Sequence, residues 1–180
     1  MYEGILQFHS QTMDNFNHAA DANNKSCSDD DDLRLFESCC GPELVRKILR
    51  IKHNDPEVTS LFLIVYSVGD LNEVASWRLG HILGQNTHVE LLEIWGCNLD
   101  VSELCAGLQN NRCIQKLYFN GIDLRGTEIM SSMAPFLSNN PSLKSISLND
   151  CNIGPDSINI LSNATLNRSD DTLEWLDLNS

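Results

Sequence analysis

Apolar residues over 57–180 keep a rhythm that belongs to neither a strand nor a helix. In LKSISLNDCNI at 143–153, Leu143, Ile146 and Leu148 stand three and then two apart, and Cys151 and Ile153 follow. A strand alternates every second residue and an amphipathic helix recurs every three or four, so this spacing joins a short strand to a bend. The same five slots recur upstream. VELLEIWGCNL at 89–99 fills them with Val89, Leu92, Ile94, Cys97 and Leu99, and IQKLYFNGIDL at 114–124 with Ile114, Leu117, Phe119, Ile122 and Leu124. A weaker copy at 58–68 holds Val58, Leu61, Leu63, Tyr66 and Val68, and LEWLDLNS at 173–180 supplies Leu173, Leu176 and Leu178. The first slots lie 31, 25, 29 and 30 residues apart, a period that marks a repeat architecture.

Between the strands the pattern predicts helices over 71–86, 101–111, 127–140 and 156–166. The third carries Ile129, Met133, Phe136 and Leu137 on one face. Leu83, Leu108 and Leu137 each precede an asparagine by three positions, and Asn86, Asn111 and Asn140 each precede the next first slot by three. Asparagine tolerates a left-handed turn at a helix end, and Pro141 blocks continuation of the third helix. The expectation is that these asparagines serve as backbone turn residues.

The strand-and-bend segments resemble the leucine-rich repeat, LxxLxLxx(N/C)xL, and their period resembles its ribonuclease-inhibitor-like class. The resemblance covers residues 57–180. It implies an α/β leucine-rich repeat solenoid, with short parallel strands on a concave face and helices on a convex one. It also implies that Cys97 and Cys151, in slot nine, satisfy backbone groups of neighbouring loops; Ile122 in that slot has no such capacity. Strand residues pointing away from the core then line the concave face. Those singled out are Glu93, Trp95, Lys116, Tyr118, Lys144, Asn149, Asp150, Trp175 and Asp177. Trp and Tyr among charges have the composition of a protein-binding hot spot, with Trp95, Tyr118 and Trp175 as anchors.

Upstream of the repeats the character changes. Residues 1–32 are polar and end in SCSDDDD, which predicts a disordered tail in which Ser28 suits an acid-directed kinase. Residues 33–56 predict a helical N-terminal cap. Pro42 and Glu43 mark a helix start, Leu44, Ile48 and Ile51 share a face, and Arg46, Lys47, Arg50 and Lys52 form a basic cluster able to meet an acidic partner or nearby aspartates. The repeats stop abruptly at Ser180, as expected of a truncated array.

The formal net charge of −13 disfavours nucleic acid and anionic membranes, since phosphate recognition starts from a basic patch. No stretch approaches the roughly 18 apolar residues of a membrane span, and the N-terminus lacks a basic, apolar leader. Seven cysteines with no CxxC pair fit reduced thiols in the cytoplasm. No GxSxG, phosphate loop or HExxH is present. His81 and His88 lack ligand-spaced partners, and the vicinal pair Cys39–Cys40 lacks further ligands. The expectation is therefore a protein-binding, non-enzymatic chain without cofactor, metal or small-molecule substrate. Two alternatives stand beside it: a GTPase-activator-like regulator, with Arg125 as the repeat-loop candidate for its catalytic arginine, and a piece of a longer sensor array.

Overall fold

The structure, a computed structural model, describes residues 28–64, 69, 71–168 and 172–179. The predicted tail up to residue 27, and Tyr66 and Val68 of the weak copy, lie outside the described residues. Two helices come first, α1 (Asp29–Glu37) and α2 (Pro42–Lys52). Strands and helices then alternate: β1 (Ser60–Ile64), α3 (Glu73–Gln85), β2 (Leu91–Trp95), α4 (Val101–Leu108), β3 (Lys116–Asn120), α5 (Thr127–Asn139), β4 (Ser145–Asn149), α6 (Pro155–Leu166) and β5 (Trp175–Asp177). Each predicted helix is present within a few residues of its expected ends. Ser28, Asn72 and Asp100 cap α1, α3 and α4 by accepting from Asp31 N, Ala75 N and Glu103 N.

The strands form one parallel sheet in chain order. Parallel neighbours need a crossover connection, which α3 to α6 provide. The register sets equal slots side by side: Leu61, Leu92, Leu117, Ile146 and Leu176 in one rung, and Leu63, Ile94, Phe119 and Leu148 in another. All but Leu176 on the outer strand are almost wholly buried. Because side chains alternate across a strand, slots four and six face the helices, while no element among the described residues covers the other sheet face. Between α3 and α4 the backbones touch. A Cβ added to Gly80 lands 2.2 Å from Leu104 O, and one on Gly107 lands 2.4 Å from the Gly80 carbonyl carbon, so only glycine fits there.

Two expectations need correction. The repeat asparagines at the helix-to-strand turns are not left-handed: Asn86 and Asn140 have φ of −73° and −85°. Among the helix-to-strand turns Asn54 after α2 takes φ of 55°, but in the repeats the left-handed residues come after the strands instead, at Gly96, Gly121 and Asp150, with φ of 58°, 64° and 52°. What the asparagines contribute is the side-chain amide. Asn86 Oδ1 accepts from the His88 and Val89 N–H groups while its Nδ2 donates to Ile51 O. Asn111 accepts from Cys113 and Ile114 and donates to Leu83 O. Asn140 accepts from Ser142 and donates to Ile114 O. All three are buried, and each ties its own loop to the preceding unit.

The acidic run is the second correction. Asp29 to Asp32 are not the end of a tail but the first turn of α1, where carboxylates complement the helix dipole. Asp32 is fully buried and meets Arg78 Nε at 2.6 Å and Lys52 Nζ at 2.7 Å.

Candidate protein-binding face

The uncovered sheet face carries three outward rungs. The register aligns Ser60, Leu91, Lys116, Ser145 and Trp175; then Phe62, Glu93, Tyr118, Ser147 and Asp177; then Ile64, Trp95, Asn120 and Asn149. Trp95 and Trp175 are 47% and 61% exposed, and Tyr118 is half-buried between them. Together with Glu93, Phe119, Asn120, Ser147 and Asn149 they line a depression of about 350 Å³. The Trp95 indole N–H donates to Glu93 Oε1 at 2.5 Å, and the Ser145 hydroxyl donates to the Tyr118 oxygen at 3.2 Å. Asn149 Oδ1 is buried and finds no hydrogen-bond partner.

Five of the nine sequence-predicted residues thus share one depression: Glu93, Trp95, Tyr118, Asn149 and Trp175. Lys116 and Lys144 are exposed at and just before the starts of their strands, beside the depression. Asp177 flanks it in the Tyr118 rung. Asp150 takes the left-handed turn that Gly96 and Gly121 take elsewhere, and its N–H donates to Asn179 O. Sequence reasoning missed Phe62 and Ile64, each 42% exposed and paired in register with Glu93 and Trp95. The signal was available, since both occupy outward slots of the weak first copy.

The remaining candidates are engaged within the fold. Lys52 reaches Asp29 and Asp32, Arg50 reaches Asp55 and Glu57, and the Lys47 ammonium sits 5.5 Å over the Phe62 ring. Arg125 Nε donates to both Asp123 carboxylate oxygens at 2.8 and 2.9 Å. His81 stacks on Trp77 and contacts Gln85, and burial lowers its pKa. The Cys151 thiol reaches Phe119 O of the preceding unit, as the slot implies, and Asn149 O of its own strand, whereas the Cys97 thiol contacts only Trp95 O of its own strand and so departs from the expected role. Burial pushes Cys97 up to about 11 and Cys105 up to about 12, which makes both poor nucleophiles. Cys39 and Cys40 lie with sulfurs 3.7 Å apart; their hydrogen bond holds the Cys39 thiol below its ordinary value and raises Cys40. Among the described residues no three His, Cys, Asp or Glu side chains gather at metal-holding distance, and no helix is long and apolar enough to cross a membrane.

No protein-family model matches the chain, and no curated protein matches it in sequence. Among solved structures it is similar to one described as leiomodin-1 actin-binding site 2, with a TM-score of 0.61 and 17% identity over 78% of this chain and 81% of that one. At that identity the likeness shows the fold alone: an α/β chain of alternating strands and helices on a parallel sheet, leucine-rich-repeat-like.

Proposed function

We propose that the chain is a non-catalytic protein-interaction module, a ribonuclease-inhibitor-like leucine-rich repeat solenoid that binds a protein partner through its concave strand face. The observation that carries this reading is the uncovered face itself, where Phe62, Ile64, Trp95 and Trp175 stand exposed around a half-buried tyrosine. Exposed aromatic and aliphatic side chains clustered among charges are what partner surfaces present. Glu93, Lys116, Lys144, Asn149, Asp150 and Asp177 form the polar surround. A similar structure that is named as an actin-binding site supports the class of function and makes actin one partner to test. Residues 33–56 act as the cap of the array. A cytoplasmic setting belongs to the proposal, supported by six free cysteines among the described residues. The GTPase-activating alternative has less support, because the Arg125 guanidinium is already held by Asp123.

The test is capture from cell lysate with this chain as bait, beside a folded variant carrying Trp95→Ala, Tyr118→Ala and Lys116→Glu. A partner retained by the first and lost by the second is the expected result. Equal recovery by both removes the face from the function.

A further inference from the structure

We propose that the depression on the strand face receives an arginine side chain presented by the partner protein. This deepens the interaction reading and rests on it. The first argument is charge. Among the described residues lining the depression, Glu93 is the one that carries charge, and Asp177 extends the same rung on β5. The lysines of this face, Lys116 and Lys144, lie toward the strand starts, where exposed Glu90 and Glu174 balance them, so that end is near neutral and the net negative charge of the face falls at the depression. An anionic group is disfavoured there.

The second argument is aromatic. Trp95 and Trp175 stand on β2 and β5, three strand spacings across and two rungs (four residues) along the sheet, so their backbones lie roughly 19 Å apart on opposite sides of the depression, and both are exposed. A guanidinium is planar, weakly hydrated and stacks on indole faces, whereas a lysine ammonium is a compact, strongly hydrated point charge.

The third argument is the unpaired atom. Asn149 Oδ1 is the one buried side-chain nitrogen or oxygen among the described residues without a hydrogen-bond partner, and Asn149 lines the depression. Such a group needs an explanation, and an incoming N–H donor provides it. The asparagine χ2 torsion is broad, so the amide turns to meet a donor at low cost. Glu93 already accepts from Trp95, but a carboxylate has about four acceptor sites and keeps capacity for a second donor. One group must therefore serve a ring face, a carboxylate and an amide oxygen together, and the five N–H donors of a guanidinium do so. An apolar side chain desolvates Glu93 and Asn149 with nothing in return.

The test uses the full chain and two blocked tripeptides, Gly-Arg-Gly and its citrulline counterpart, which keeps the planar shape without the charge. The three indole N–H signals are assigned by NMR with Trp77→Phe, Trp95→Phe and Trp175→Phe. The arginine peptide is expected to shift the Trp95 and Trp175 signals with Kd on the order of 1 mM, while Trp77, stacked on His81, stays still. Citrulline is expected to bind about tenfold more weakly, and Glu93→Gln or Asn149→Ala to weaken the arginine response several-fold in variants whose circular dichroism is unchanged. Equal response to both peptides overturns the arginine assignment while leaving a peptide-binding face. A response that survives both substitutions overturns it as well. Silence of both indoles overturns it too, and the lysate capture then decides separately whether the face binds a partner.

Discussion

The seam between the N-terminal helix pair and the first repeat carries a buried charged cluster that no later seam repeats among the described residues, whereas an asparagine amide recurs at each. At the first seam, buried Asp32 receives Arg78 through Nε and Nη2 at 2.6 and 2.7 Å and Lys52 at 2.7 Å, with Asp29 taking Lys52 and His53 alongside. Every one of these seams, the first included, carries an amide: Asn86 donates to Ile51 O in α2, and Asn111 and Asn140 donate to Leu83 O and Ile114 O of the units before them, while each accepts from its own loop. The charged seam matches side chain to side chain and occurs once. The amide seam matches side chain to backbone and recurs with the repeat. A side-chain pair can be replaced jointly, whereas a backbone partner cannot be changed to suit a substituted amide.

The sharpest way to break this comparison is Arg78→Met. Asp32 then keeps only Lys52 as a partner, so the cost is expected at the low end of that for breaking a buried ion pair, about 3 kcal/mol, read as a lower midpoint in denaturant unfolding. The double change Asp32→Leu with Arg78→Met is expected to return to within about 1 kcal/mol of the parent, because well-packed apolar replacements of buried pairs are often neutral. A double variant as unstable as the single one denies that the seam is replaceable.

Asn111→Ala comes next. It orphans the Ile114 and Cys113 N–H groups and removes one of two donors to Leu83 O, which keeps Asn86 N–H, for a loss of about 2 kcal/mol at roughly 1 kcal/mol per orphaned group. Asn111→Leu is expected to lose as much, and no second-site side chain to restore it. Recovery by any neighbouring substitution would erase the distinction between the seams. Gly107→Ala follows at about 2 kcal/mol by overpacking, since its Cβ meets Gly80 and His81 backbone at 2.4 Å. That third kind of seam, backbone against backbone, has no side chain to adjust.

How much of this was legible depends on range. The strand register was readable, because slots four and six must face a core and a one-residue slip exposes them all. The asparagine positions were readable as repeats, but their role was not. Spacing gives a position without its φ, and an amide that satisfies N–H groups two and three residues on looks in sequence like a turn former. The acidic run read as disorder because four adjacent aspartates repel one another, and the cations that pair with Asp29 and Asp32, Lys52 and Arg78, lie far along the chain. On the candidate face, the outward slots located five lining residues of the depression. Phe62 and Ile64 escaped because their copy is the weakest. Gly80, Gly84 and Gly107 left no trace in the hydrophobic pattern, since close backbone approach is a property of two helices and not of either one.

The smallest expected effect separates the two seams by titration. Hydrogen bonds from Lys52 and then His53 hold the Asp29 carboxyl below its ordinary 3.8. A carboxyl whose folded pKa is depressed stabilises the fold above its unfolded value, and the contribution disappears as pH falls from about 3.8 through the folded value. Burial alone pulls the Lys52 ammonium down, but its bonds to Asp29 and Asp32 carry it above its ordinary 10.5. Its contribution is complete below 10.5 and is lost as pH rises through the folded value. The amides of Asn86, Asn111 and Asn140 do not titrate at either end. Acidification from pH 6 to pH 3 is therefore expected to lower hydrogen-exchange protection, corrected for intrinsic rates, in α1 before it lowers protection in α5 or β3. Added salt at neutral pH is expected to act in the same direction on the half-exposed Asp29 contacts and little on buried Asp32. Loss of protection in step across α1, α5 and β3 would mean that the charged seam opens only with the whole fold, and the two kinds of fastening would then be one cooperative unit.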